Sequence, residues 1–76
     1  MSGASTAQPT IEVSINGEAR RFEPGRTLSA LLTSIGVDAT RVAVERNLEI
    51  VARSSFGEVE VADGDCYEIV HFVGGG

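Results

Sequence analysis

The chain has 76 residues and a formal net charge of −5, because eleven acidic residues outnumber six arginines; this length is enough for one domain. A domain that binds nucleic acid needs a basic face to neutralise phosphates, so the acidic balance argues against a nucleic-acid partner. The single cysteine permits neither an internal disulfide nor a cysteine-rich metal site, and because no segment resembles a signal peptide or a membrane span, we expect a cytoplasmic protein that contacts no membrane.

The chain begins with ten small or polar residues that show no periodicity, MSGASTAQPT. We expect residues 1–10 to form a disordered arm, partly left by cloning. Apolar and polar residues then alternate over residues 11–15, which predicts a half-buried strand. Asn16 and Gly17 form a strong hairpin signal because both tolerate positive φ, and residues 19–23 are the expected return strand.

Apolar residues recur at helical spacing over residues 28–35, which predicts one helix with a single buried stripe. Thr27 is a suitable N-cap before this helix, and Gly36 is a suitable residue just past its end. The stripe, which we expect to face the core, consists of Leu28, Leu31, Leu32 and Ile35.

The second half of the chain contains several short apolar segments. Residues 42–47 predict a strand, and residues 48–51 fit either a bent strand or a packed loop. Residues 53–57 indicate a turn or one helical turn, and the alternation over residues 58–61 predicts a short strand. The segment CYEIVHFV, residues 66–73, carries the strongest strand pattern in the chain.

These elements give the order β-β-α-β-β-β over residues 11–73. One amphipathic helix must lay its stripe on one face of a sheet, which predicts an α+β fold: a β-grasp roll, with a mixed four- to five-stranded sheet packed on one helix. No second helix covers the other face of the sheet. Val70 and Phe72 should therefore stay partly exposed beside Glu68, and neighbouring exposed apolar groups mark a partner-docking site.

Three glycines, Gly74, Gly75 and Gly76, follow the last strand directly. Fully extended, they reach ~10 Å past the strand, and a thread without side chains can enter a narrow channel. A terminal carboxylate must be activated before it reacts, most simply as an acyl-adenylate made from ATP, and a sulfur donor could then leave a thiocarboxylate. The protein would carry this group while partners catalyse, so we assign no catalytic residue. A glycine tail alone would fit a cloning remnant, but its place after an apolar central strand favours this function.

Four further residues have chemistry to consider. His71 and Cys66 are both expected to pack in or near the core, His71 half-buried in its strand and Cys66 as a buried or half-buried thiol. Asp63 and Asp65 flank a glycine, but their spacing lacks the additional ligands of a calcium loop. We therefore expect a solvated turn there and no metal site.

The segments ING, VERN and EIVHFVGGG together resemble the ThiS family, the ubiquitin-like sulfur carriers of thiamine biosynthesis, over residues 11–76. The resemblance implies that a ThiF-like, E1-type adenylyltransferase uses ATP to adenylate Gly76, which then becomes a thiocarboxylate (1-thioglycine). Gly75 matches the penultimate glycine of the family, and Gly74 has a lesser role. A ThiG-like thiazole synthase would take the sulfur to build the thiazole, with no cofactor bound to the carrier and with partners docked on the open sheet face.

Two alternatives remain at this point. A molybdopterin-type sulfur carrier would share the fold, the tail and the activation chemistry, and would differ in the enzyme that accepts the sulfur. A ubiquitin-like binding module or protein modifier would carry no sulfur, and a modifier would end in an isopeptide bond to a target lysine. The combination of VERN with HFVGGG favours the thiamine carrier.

Overall fold

The structure, a computed structural model, describes residues 9–72 of the chain. The predicted arm lies outside the described residues except for its last two positions, and the glycine tail lies wholly outside them. The elements are β1 (Ile11–Ile15), β2 (Glu18–Phe22), α1 (Leu28–Ser34), β3 (Val42–Arg46), β4 (Glu49–Val51) and β5 (Cys66–His71), with short 3-10 turns at Ala39–Arg41 and Arg53–Ser55.

The five strands form one mixed sheet in the order β2-β1-β5-β3-β4. β1 pairs with β5 in parallel, and the other three pairings are antiparallel. The predicted β-grasp roll is therefore confirmed, with β5 at its centre. Of the two interpretations of residues 48–51, the strand is correct.

The β1–β2 hairpin turns through Asn16 and Gly17, as predicted. Both residues lie in the left-handed region, with φ of 52° and 83°, the geometry of a two-residue turn that suits the strand twist. The Asn16 side chain also accepts a hydrogen bond from the N–H of Ile69 at 2.7 Å and donates one to the Ile69 carbonyl at 3.1 Å. The amide group of Asn16 therefore continues the β1–β5 ladder where the β1 backbone turns away.

The helix α1 begins and ends with the predicted caps. The Thr27 hydroxyl accepts a hydrogen bond from a backbone N–H of the first turn at 3.2 Å. The last helical residue is Ser34, one before the expected end, because Gly36 adopts a φ of 81°. The N–H of Val37 then donates back to the Leu32 carbonyl at 2.9 Å, which satisfies a free carbonyl of the last turn.

The prediction of a strand at residues 58–61 is wrong. This segment makes only an isolated bridge, between Glu60 and Thr27. The N–H of Leu28 donates to the Val59 carbonyl at 2.8 Å. The segment therefore satisfies the free N–H groups at the start of α1 instead of joining the sheet.

The core lies between α1 and the inner face of the sheet. Three of the four residues in the predicted helical stripe are fully buried there, and Ile35 packs at the edge. The buried apolar residues are Val13, Ile15, Leu28, Leu31, Leu32, Val42, Val44, Phe56, Val61, Tyr67 and Ile69.

Candidate functional site

The open face of the sheet is the face that α1 does not cover, and it is the candidate functional site. Strand alternation places Glu68 and Val70 of β5 on this face, and Phe72 follows beyond the end of the strand. Val70 is 60% exposed and Phe72 is 55% exposed. The structure thus places all three predicted docking residues where a partner can reach them, and docking itself stays a prediction.

Two apolar residues of neighbouring strands extend this face, and the sequence did not single them out. Ala43 of β3 lies directly opposite Val70. Ile50 of β4 is 78% exposed and lies opposite Glu45. Ala43 and Ile50 therefore extend the apolar part of the open face across β3 and β4. The only sequence signal for Ile50 was its place in a short apolar segment, since its exposure depends on β4 being an edge strand.

Two like charges interrupt the apolar part of the open face. Glu45 of β3 lies directly opposite Glu68 of β5, and within residues 9–72 neither side chain forms an ion pair. Like charges at directly opposite positions of neighbouring strands destabilise a sheet. The pair creates a negative potential that favours a cationic group on a docking partner.

Asp65, which precedes β5, is the centre of a buried polar network. Its side chain is only slightly exposed, and it accepts four hydrogen bonds. Arg46 Nε, the Ala62 backbone N–H and the Tyr67 hydroxyl each donate to Oδ2 at 2.9 Å, and Asn47 Nδ2 donates to Oδ1 at 3.1 Å. The expectation of a solvated turn is therefore wrong for Asp65, although Asp63 is exposed as expected.

The protonation states of this network follow from burial and hydrogen bonding. Burial of Asp65 opposes its ionisation, but the bonds from Ala62, Asn47, Arg46 and Tyr67 outweigh burial and hold the pKa of the carboxyl group below its ordinary value. Burial and the hydrogen bond to Asp65 raise the pKa of the Tyr67 phenol well above its ordinary value. The network therefore contains a carboxylate and a neutral phenol at neutral pH.

The β3–β4 turn consists of Asn47 and Leu48, and it has unusual backbone geometry. Both residues have positive φ, 52° for Asn47 and 73° for Leu48, and Leu48 is 89% exposed. Asn47 is fixed from β5, because its N–H donates to the Cys66 carbonyl at 2.8 Å and its Oδ1 accepts from the Cys66 N–H at 2.9 Å. A bulky residue with positive φ is a genuine outlier.

Comparison with known proteins assigns the family. Residues 13–76 match the model of the ThiS family. The chain belongs to the ThiS family. It is 50% identical over 50 residues to the sulfur carrier protein ThiS of Bacillus subtilis, a match that covers 66% of this chain and 76% of that protein.

Other relatives support this ThiS assignment. A crystal structure of the thiamine biosynthesis protein ThiS from Geobacter metallireducens is similar with a TM-score of 0.75 at 30% identity, covering 87% of this chain and all of that one. The chain is also 60% identical over 62 residues, 82% of its length, to a thiazole synthase of Paramagnetospirillum magneticum. It spans about a fifth of that longer protein.

The structure shows where the segments that resemble the ThiS family lie in the fold. In VERN, Val44 is buried in the core, Glu45 lies on the open face, and Arg46 and Asn47 hold Asp65. The roles of Arg46 and Asn47 were not visible in the sequence, since their partner is 18 or 19 positions away. Of HFVGGG, only the first two residues belong to the described part.

Cys66 and His71 differ from the predictions, because both are exposed. Cys66 starts β5 on the open face, where the Ser14 hydroxyl donates a hydrogen bond to its sulfur at 3.1 Å. His71 points to the same side of β5 as the buried residues Tyr67 and Ile69. It is exposed because it is the last residue of the strand, beyond the buried core residues.

Residues 9–72 contain neither a metal-binding cluster nor a membrane-spanning helix. No group of three or more His, Cys, Asp or Glu side chains there is arranged to hold a metal ion. No helix in this part is long and apolar enough to cross a bilayer. The predicted sulfur-carrying residues Gly76, Gly75 and Gly74 lie outside the described residues, so their role stays a prediction.

Proposed function

We propose that this chain is a sulfur carrier of thiamine biosynthesis and that the carboxyl group of Gly76 carries the sulfur. In the proposed cycle, an E1-like adenylyltransferase joins this carboxylate to the AMP part of ATP and pyrophosphate leaves. Sulfur at the sulfide level (HS⁻) then attacks the acyl carbon, the bond to AMP breaks, AMP leaves with the electron pair, and loss of the proton leaves a thiocarboxylate (1-thioglycine). The chain binds no cofactor of its own in this scheme, and its partners perform the catalysis.

The family match carries this proposal, because it runs through residues 74–76 as well as the folded part. The fold supports it in one respect. β5 leads toward the glycines, and its last residue, His71, is paired with Val42 of β3. A tail that follows this strand starts from a residue that the sheet holds in place.

Two partners follow from this function: a ThiF-like adenylyltransferase and a ThiG-like thiazole synthase. The similarity to part of a thiazole synthase supports the second. We place the docking of both on the open face at Val70, Phe72 and Glu68. The negative potential of Glu68 and its neighbour Glu45 would speed the encounter with a basic partner surface.

The energetics of docking show how much surface is needed. Fixing the backbone costs about 1–2 kcal/mol per residue, so holding three glycines in a channel costs about 3–6 kcal/mol. Full burial of a large apolar side chain contributes about 1.5–3 kcal/mol. Val70 and Phe72 are already about 40–45% covered, so together they contribute about 2–3 kcal/mol. Further apolar contacts are required.

The proposal is tested by the intact mass of the 76-residue chain after incubation with a ThiF-type enzyme, ATP and a sulfur donor. We expect a species heavier by the difference between sulfur and oxygen, and fragmentation should place the added mass on Gly76. A chain that keeps its original mass, while a known ThiS protein is converted in the same reaction, would refute the proposal.

A variant that lacks Gly76 is the matched control. After the same incubation, the variant should keep its own unmodified mass. Its melting temperature should equal that of the full chain. Deletion of the gene should cause a requirement for thiamine; a defect confined to molybdopterin synthesis would instead favour the related carrier.

A further inference from the structure

We propose that Leu48, at the tip of the β3–β4 hairpin, is a specificity-determining contact for the thiazole synthase. This inference rests on the proposed function and deepens it, because it identifies a part of the docking surface at the opposite end of β3 from Phe72. The synthase would receive Leu48 in an apolar recess.

The first support is that the backbone conformation of Leu48 is unfavourable and that burial of its side chain does not offset the cost. Residues 9–72 contain two two-residue hairpin turns that begin with Asn, and the other one uses Gly17 where this one uses Leu48. Glycine fits this left-handed position without steric cost, and leucine does not. Because Leu48 is 89% exposed, burial of its side chain within this protein does not offset that cost. Strain retained in this way points to function.

The second support is that the turn is held rigidly. The backbone and side chain of Asn47 bond to the N–H and carbonyl of Cys66, and its amide also donates to buried Asp65. Asp65 is in turn bound by Arg46. Leu48 is therefore presented on a fixed loop, so a partner pays little ordering entropy to bind it.

The third support is continuity with the open face. Ile50 follows Leu48 by two residues, is 78% exposed, and lies opposite Glu45, which in turn lies opposite Glu68 of the open face. Since β3 has five residues, the surface from Phe72 to the hairpin spans about 15 Å. Glu45 and Glu68 lie between its ends. The partner surface should therefore carry a basic side chain beside the recess that receives Leu48.

We assign this contact to the thiazole synthase because one relative contains a segment 60% identical to this chain within a longer thiazole synthase polypeptide. In such a protein the segment and the rest of the synthase are held at high effective concentration. This link favours the synthase as the partner that contacts Leu48.

The test compares Leu48→Gly with the wild-type chain in three measurements. Calorimetric titration of the unmodified chain into the thiazole synthase should give a Kd about tenfold higher for the variant. The melting temperature should rise by a few degrees, because the strain is relieved. The Kd for the adenylyltransferase should be unchanged. Leu48→Met, which keeps both the strain and an apolar contact, should bind the synthase like the wild type.

Three results would overturn the proposal. The first is an unchanged Kd for the synthase, or no measurable binding of the wild-type chain. The second is a lower melting temperature with unchanged binding, which would make Leu48 a structural residue. The third is weaker binding to the adenylyltransferase alone. None of these depends on sulfur transfer, so the mass measurement can fail or succeed independently.

Discussion

Asp65 is the residue whose environment departs most from its sequence context. It is 6% exposed, yet it stays ionised because three side chains and one backbone N–H donate to it. Removal of one partner from a buried, hydrogen-bonded charge pair is strongly destabilising. Asp65 therefore fixes three parts of the chain to one another: the β3–β4 turn, the loop before β5, and β5 itself.

We expect Asp65→Asn to lower the free energy of unfolding by about 2 kcal/mol at pH 7, which corresponds to a fall of about 8–16 °C in melting temperature. The hydrogen bonds to Asp65 outweigh its burial and hold its folded-state pKa below the ordinary value, so the carboxylate contributes stability above the unfolded-state pKa. That contribution is lost as the pH falls through the folded-state value. The difference between wild type and variant should therefore shrink below about pH 4, as measured by thermal unfolding at several pH values.

Asp63 provides the control for this prediction, because it lies in the same turn but is exposed. Its Oδ1 accepts a hydrogen bond from the Glu12 N–H at 2.8 Å, and an asparagine can accept the same bond. Asp63→Asn should therefore change the unfolding free energy by less than about 0.5 kcal/mol. If the two variants were equally stable, the network around Asp65 would not have the importance that we assign to it.

Elements with local signals were predictable, and those that depend on distant partners were not. The first hairpin followed from Asn16 and Gly17, and the helix from its caps and stripe. Residues 58–61 alternate between polar and apolar residues as a strand does, but their backbone bonds to the start of α1 instead of to the sheet. Nothing in that segment shows where its partner lies. The burial of Asp65 was missed for the same reason: its donors lie at the β3–β4 turn, in the loop before β5 and in β5 itself.

Asn16 tests how a turn residue can stabilise the central strand. Asn16→Gly keeps the turn conformation but loses both hydrogen bonds to Ile69, and it should cost about 1 kcal/mol. Asn16→Ala loses the same two bonds and, unlike glycine, keeps a Cβ in the left-handed region, so it should be about 1 kcal/mol less stable than Asn16→Gly. Urea unfolding should show this order of stability with an unchanged slope. Equal stability of the two variants would show that the left-handed conformation has no cost at this turn.

At the scale of the whole molecule, the sequence predicted the roll, the central last strand and its open face. It did not show that the β3–β4 hairpin would expose Ile50 and the strained Leu48, since this requires the edge position of β4 in the sheet. The molecule thus combines a stable inner face with an outer face that holds several unfavourable features. Exposed apolar side chains, two like charges at opposite positions (Glu45 and Glu68) and a strained leucine are together typical of a surface that is completed by a partner.

The central claim is that this chain delivers sulfur to a thiazole. The most direct test is a single-turnover reaction in which the chain, charged with isotopically labelled sulfur, is mixed with a thiazole synthase and its other substrates. We expect the label to leave the chain and to appear in the thiazole, with one sulfur per chain consumed and the chain returned to its original mass. Label that stays on the chain, or a labelled thiazole that forms equally well without the chain, would contradict the account.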